Sequence, residues 1–225
     1  MYEPLYGRFL STDPLWSKYL PLQPYQYAGN QPISLLDDGG KWVQAVDAKA
    51  QEAVRNSVPE KFRDFVVFND GILDVGRIKE GAQGQDVNSN ISVLSRLAEN
   101  DNTIDVAVSD EVTALDKSGD RISAHFSDFD RPGERINGLT LAPRSDQKSS
   151  GLSDGVPFST TGNIQVVIRA SGESKQSKGV TAAHELFAHA RFILLCRVGK
   201  AASARESDPA VQKAIKRAER EAQSP

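Results

Sequence analysis

Thr181-Ala182-Ala183-His184-Glu185-Leu186-Phe187-Ala188-His189-Ala190 is the stretch on which the reading of this chain turns. It lies inside Val180–Val198, where Ala183, Leu186, Phe187, Ala190, Ile193 and Leu194 recur at helical spacing and Gly199 supplies a stop. The stretch predicts a helix, and it carries two of the chain's three histidines, the third being His125. Five residues turn a regular α-helix by about 500°, so imidazoles at i and i+5 point about 140° apart, against about 40° for i and i+4. The two rings converge only if the helix takes in one extra residue, as a π-bulge does, and such bulges favour functional sites.

Outward from this helix the sequence alternates short elements. Asn163–Ala170 (Asn-Ile-Gln-Val-Val-Ile-Arg-Ala) is the clearest strand, and Pro209 opens a last helix striped by Val211, Ala214, Ile215, Ala218 and Ala222. Trp42–Val58 has the spacing of an amphipathic helix stopped by Pro59, and Ile91, Val93, Leu94, Leu97 and Ala98 mark another. Phe62–Phe68 and Gly71–Arg77 read as strands about the Asn69-Asp70-Gly71 turn. Thr103–Val108, Arg121–Phe126 and Gly138–Leu141 read as further short strands, and Ser145–Gly155 as a polar loop. The expected fold class is α+β, a short antiparallel sheet packed on helices.

Composition narrows the classes. The 225 residues carry 27 Lys or Arg and 30 Asp or Glu, a net charge of −3, with a mean hydropathy of −0.43 and a sequence pI near 5.7. This slight acidity argues against a nucleic-acid surface. No stretch approaches the roughly 18 apolar residues of a membrane span, and Met1-Tyr2-Glu3-Pro4-Leu5-Tyr6 has no basic start followed by an apolar core, so no ordinary signal peptide is expected. The single cysteine, Cys196, excludes an intrachain disulfide and thiolate-rich zinc sites, and it reads as a core residue. No Gly-x-Ser-x-Gly elbow and no Gly-rich phosphate loop occurs.

The chemistry therefore falls to the histidine pair. In zinc hydrolases His-Glu-x-x-His places two neutral imidazoles on the metal, and the Glu beside the first takes a proton from the attacking water. His184-Glu185-Leu186-Phe187-Ala188-His189 resembles the longer His-Glu-x-x-Gly-His pattern of dipeptidyl peptidase III, with Ala188 where that family has Gly. The resemblance spans six residues and implies a zincin-like active-site helix near the C-terminus, with His184 and His189 as zinc ligands and Glu185 as general base. Zinc needs a third protein ligand, commonly a carboxylate. Glu206, Asp208, Glu219 and Glu221 lie downstream; Glu221 is favoured because it sits on a docked helix, with Glu206 second and Glu219 open. The strand Asn163–Ala170 is expected to dock an extended peptide by strand addition. His125 reads as a half-buried strand histidine, or as a group that stabilises a tetrahedral intermediate, and the basic residues from Arg197 to Arg220 read as a solvated face.

Residues 1–41 differ in character, holding all five tyrosines, Trp16 and five prolines. Tyr2-Glu3-Pro4-Leu5-Tyr6-Gly7-Arg8-Phe9-Leu10-Ser11-Thr12-Asp13-Pro14-Leu15, continued by Tyr25-Gln26-Tyr27-Ala28-Gly29-Asn30-Gln31-Pro32-Ile33 and Leu36-Asp37-Asp38-Gly39, resembles the end of an Rhs/YD-repeat core. In that family the junction closes a β-cocoon shell and precedes a variable C-terminal toxin. In some members an aspartate pair releases the toxin, which maps onto Asp13 and Asp37, though Asp37-Asp38 stands where the family has a second Asp-Pro. The resemblance implies a junction segment at 1–41 followed by a toxin domain at 42–225. It also implies an effector delivered by a secretion apparatus to act in a target cell, and a cognate immunity protein. The expected function is a zinc metallopeptidase acting on a protein or peptide as such a toxin. The alternative is a non-enzymatic or degenerate tip, or binding module, in which the His-Glu helix is structural.

Overall fold

A computed structural model describes residues 2–3, 8–9, 43–45, 47–100, 102–116, 118–143, 158–197 and 208–225. The chain divides into two units, 1–40 and 41–225. In the first, β1 (Tyr2–Glu3) pairs antiparallel with β2 (Arg8–Phe9). The remaining junction residues, Asp13 and Asp37 among them, lie outside the described residues, as do the Ser145–Gly155 loop and Glu206.

The second unit begins with β3 (Val43–Ala45) and α1 (Ala48–Arg55), separated at Asp47, whose carboxylate accepts from Ala50 N–H at 2.9 Å. The cap explains why the helix expected from Trp42 starts later: Asp47 offers the backbone a start, and β-branched Val43 joins a sheet instead. The hairpin at Asn69-Asp70-Gly71 forms as expected, with both turn residues at positive φ (49° and 84°), but its strands β4 (Phe68–Asn69) and β5 (Ile72–Leu73) are only two residues long. A 3₁₀ turn (Glu60–Phe65) and α2 (Val75–Ala82) take the flanks that were read as strand. Then come α3 (Asn90–Ala98), β6 (Ile104–Val108), the hairpin β7 (Glu111–Leu115) and β8 (Arg121–His125), β9 (Gly138–Leu141) and β10 (Ile164–Ile168). The C-terminal helices are α4 (Lys175–His184), a π-helical segment (Glu185–Ala190), α5 (Arg191–Arg197) and α6 (Pro209–Ala222).

The class is α+β, with a six-stranded sheet in the order β4-β5-β3-β6-β10-β9 and a separate β7-β8 pair. The main sheet is mixed rather than antiparallel. β3, β6 and β10 run parallel, with Val43 and Ile164 both in register with Ile104, while β9 and β5 are antiparallel to their neighbours. Parallel strands need crossovers and cover on both faces, which accounts for the near-continuous apolar runs of β6 and β10. Alternation along β10 divides two cores. Ile164, Val166 and Ile168 face the helices, whereas Val167 joins Leu141, Val112, Ala114 and Phe126 under the β7-β8 hairpin. Arg169, 7% exposed, closes the hairpin end by donating to both Asp130 carboxylate oxygens (2.9 and 3.1 Å). The Ile136 backbone N–H and that guanidinium hold the Asp130 carboxyl below its ordinary range.

A second difference bears on function. β10 is an interior strand, paired with β6 on one side and β9 on the other. It has no free edge for a peptide, so the docking role expected of Asn163–Ala170 is corrected. The edge is β9.

Candidate metal centre

The helix that carries the motif is α-helical up to His184 and π-helical from Glu185 to Ala190. The i→i+5 bonding of a π segment widens each turn, which returns a residue five positions on to roughly the same face. The rings of His184 and His189 accordingly adjoin, with centroids 5.0 Å apart and planes tilted by 33°. Their Nε2 atoms stand 3.1 Å from one another. The segment is buried around most of its circumference, with Glu185, Leu186, Phe187, Ala188 and Ala190 all enclosed and the two histidines half-buried. Ligand atoms of His184, Glu185 and His189 all fall within 4.8 Å of each other.

α6 supplies the next contact. Its rotation is pinned from two sides: Asn90 Nδ2 donates to the Ala218 carbonyl (2.8 Å), and Gln176 Nε2 donates to the Ala222 carbonyl (2.7 Å). Glu221 is drawn into the same clamp, its Oε2 accepting the Asn90 backbone N–H at 2.7 Å near the start of α3, where a carboxylate is favourable. Glu221 therefore serves α3, and the structure does not bring it to the histidines. Glu219, two residues earlier and about 200° around the helix, does reach them, with Oε1 2.8 Å from His184 Nδ1. A carboxylate on Nδ1 fixes the tautomer that leaves Nε2 as a lone-pair donor, the usual outer support of a metal-binding imidazole. Asp208 is spent as the cap of α6, accepting from Ala210 N–H at 2.8 Å. His125 is exposed, and its ring is engaged locally with Ser127 in a capping box.

Two residues that the sequence reading passed over seat the carboxylate of Glu185, which is 6% exposed. Thr140 of β9, 9% exposed, donates its hydroxyl to Glu185 Oε2 at 2.6 Å. Gly138, one pleat along, makes room: a Cβ there would lie 2.5 Å from Glu185 Oε1 and 2.7 Å from its Cγ. Gly138 and Thr140 share the helix-facing side of β9, while Leu139 and Leu141 face the hairpin core. Neither residue stands near the motif in sequence, so only the sheet order could have singled them out.

Two predictions test this arrangement. With a metal on the two imidazoles, as proposed below, Glu219→Gln lowers zinc affinity by about 10–100-fold, the usual cost of losing a carboxylate behind a ligating imidazole; competition with a chromophoric chelator measures it. Thr140→Val, which leaves a buried carboxylate short of its donor, costs about 1–3 kcal/mol in denaturant unfolding, and Thr140→Ser restores most of it.

No family model, no curated protein and no solved structure matches the chain.

Proposed function

We propose that the chain is a zinc-dependent hydrolase, a metallopeptidase in which His184 and His189 hold the metal and Glu185 is the general base. The observation that carries this reading is the π segment, which brings the two imidazole Nε2 atoms to 3.1 Å beside the Glu185 carboxylate. Nitrogens bound to zinc at about 2.0–2.1 Å in tetrahedral arrangement stand about 3.3 Å apart, so the donor pair fits this metal with little rearrangement. Imidazole suits zinc, and the adjoining carboxylate suits proton transfer.

A zinc ion in such a donor set supplies Lewis acidity, polarising a carbonyl and acidifying water. The protein's own groups do the rest. Glu219 holds the His184 ring in its tautomer. Glu185, fixed by Thr140 against Gly138, receives the proton of the attacking water and returns it to the leaving amine. β9 pairs only on its β10 side among the described residues, so its outer edge offers backbone groups to an extended peptide, and Gly138 and Thr140 set that edge directly against Glu185. We place this activity in the toxin tip of an Rhs-type effector, on the strength of the motifs between Tyr2 and Gly39, with a protein substrate in the target cell and an immunity protein as its antagonist.

Metal analysis of the purified chain is the test. Near-stoichiometric zinc and cleavage of an unfolded protein such as casein, lost on chelation and regained with zinc, are expected. Absence of both removes the reading. The second reading, a structural His-Glu helix without catalysis, draws on the same 3.1 Å separation, which also suits a hydrogen bond from one ring to the other. It requires the metal-free protein to be as stable as the zinc-treated one.

A further inference from the structure

We propose that the hollow between α3 and α5 binds an aliphatic carboxylate, a fatty acid of medium chain length. The hollow, open to solvent on one side, offers about 200 Å3, and its apolar wall is made by Val93 and Leu97 of α3 and by Leu194 and Leu195 of α5. A cavity of roughly 150 Å3 takes a benzene-sized guest, so this one has room for a chain of about eight carbons. Its polar wall is Arg96, Arg191 and Asn100.

The arginines make the hollow more than a packing fault. Arg96 donates from Nε to the Ser92 carbonyl at 3.3 Å and from Nη2 to the Val87 carbonyl, and Arg191 donates from Nη2 to Asn88 Oδ1 at 2.9 Å. All of these acceptors are neutral, and among the described residues neither guanidinium forms an ion pair. Arg217 adds a third cation, and its acidic neighbour Asp86 stands off at 3.9 Å. Burial above all, and then Arg96 and Arg217 nearby, lowers the pKa of Arg191 from its ordinary value. Stapling the Val87–Asn88 turn to the helices needs donors, not charge; a neutral amide would do so without the repulsion. The excess charge is explained by a ligand that brings the anion.

Charge and shape select the ligand class. The planar guanidinium fork matches a carboxylate, and four aliphatic side chains match a hydrocarbon body. A peptide C-terminus shares that head group, but its amides need hydrogen-bond partners when buried, and apart from the guanidiniums the wall offers only Asn100. A fatty chain brings no such demand.

Calorimetric titration of the whole chain with octanoate is the test. One saturable site is expected, with octanol, which lacks the charge, and acetate, which lacks the chain, each binding at least about tenfold more weakly. Arg96→Gln and Arg191→Gln, verified as folded by circular dichroism, each weaken octanoate about tenfold and leave octanol unchanged. Octanol binding as tightly as octanoate overturns the proposal, and so does octanoate affinity that survives both substitutions. N-acetylleucine binding more tightly than octanoate overturns it in favour of a peptide C-terminus. If the variants fail to fold, the comparison of ligands on the unaltered protein decides.

Discussion

Glu185→Gln leaves zinc content and fold intact and lowers peptide hydrolysis by about 10²–10⁴-fold, the range expected when a general base is removed. The substitution is nearly isosteric. A carboxamide oxygen still accepts the Thr140 hydroxyl that now stands 2.6 Å from Glu185 Oε2, and the space against Gly138 is filled as before. What the amide cannot do is accept the proton of an attacking water. The measurement is kcat on an unfolded substrate beside metal content by mass spectrometry. Full activity in the variant removes Glu185 as base. Loss of the metal together with activity makes it a ligand instead, a role its position within 4.8 Å of both histidines would permit.

The sequence disclosed the two imidazoles proposed as metal ligands and, through their five-residue spacing, the local geometry that convergence demands. His184 and His189 can converge only through an inserted residue, and the π segment from Glu185 to Ala190 is that insertion. It disclosed less of what surrounds them. Glu219 and Glu221 flank the same apolar stripe, and choosing between them needs the rotation of α6, which is set by Asn90 and Gln176 from helices remote in sequence. The strand roles were misassigned for a reason that is readable in retrospect. Ile164-Gln165-Val166-Val167-Ile168 has apolar residues facing both ways, the pattern of a strand covered on both faces, and such a strand is interior. Gly138-Leu139-Thr140-Leu141 is short, alternates, and begins with the residue that tolerates a close neighbour. Those are edge features, and they move the proposed peptide-docking strand one position further out than expected.

The parallel centre of the sheet was hidden for a different reason. β3 is three residues long and adjoins a helix start at Asp47, so helical periodicity ran through it from Trp42 to Val58 without interruption. Its pairing with β6 spans the hairpin and three helices, and no local pattern encodes a contact of that sequence separation. The site inherits this dependence. Glu185 rests on β9, which is held by β10, which is held in register by β6, so the position of the proposed base is set by pairings invisible to the motif that contains it.

His184→Ala with His189→Ala abolishes zinc binding and with it the stabilisation that zinc confers. A ligand present at about one hundred times its dissociation constant stabilises the native state by about 2.7 kcal/mol. For a domain of this size each kcal/mol moves Tm by about 2–4 °C, so zinc should raise the Tm of the unaltered protein by roughly 5–10 °C and that of the double variant not at all. The metal-free comparison carries as much information. Among the described residues the two rings share a mutual hydrogen bond and a bond to Glu219, and the substitutions leave the Glu219 carboxylate, 37% exposed, free to turn to water. A metal-free loss confined to about 1–2 kcal/mol, paired with the full loss of the zinc response, is what a binding site predicts. A large loss without metal and no zinc response in either protein would mean that the π segment serves to pack two adjoining imidazoles. The two outcomes differ in the unaltered protein alone, so the thermal shift on adding zinc separates them before any substrate is known.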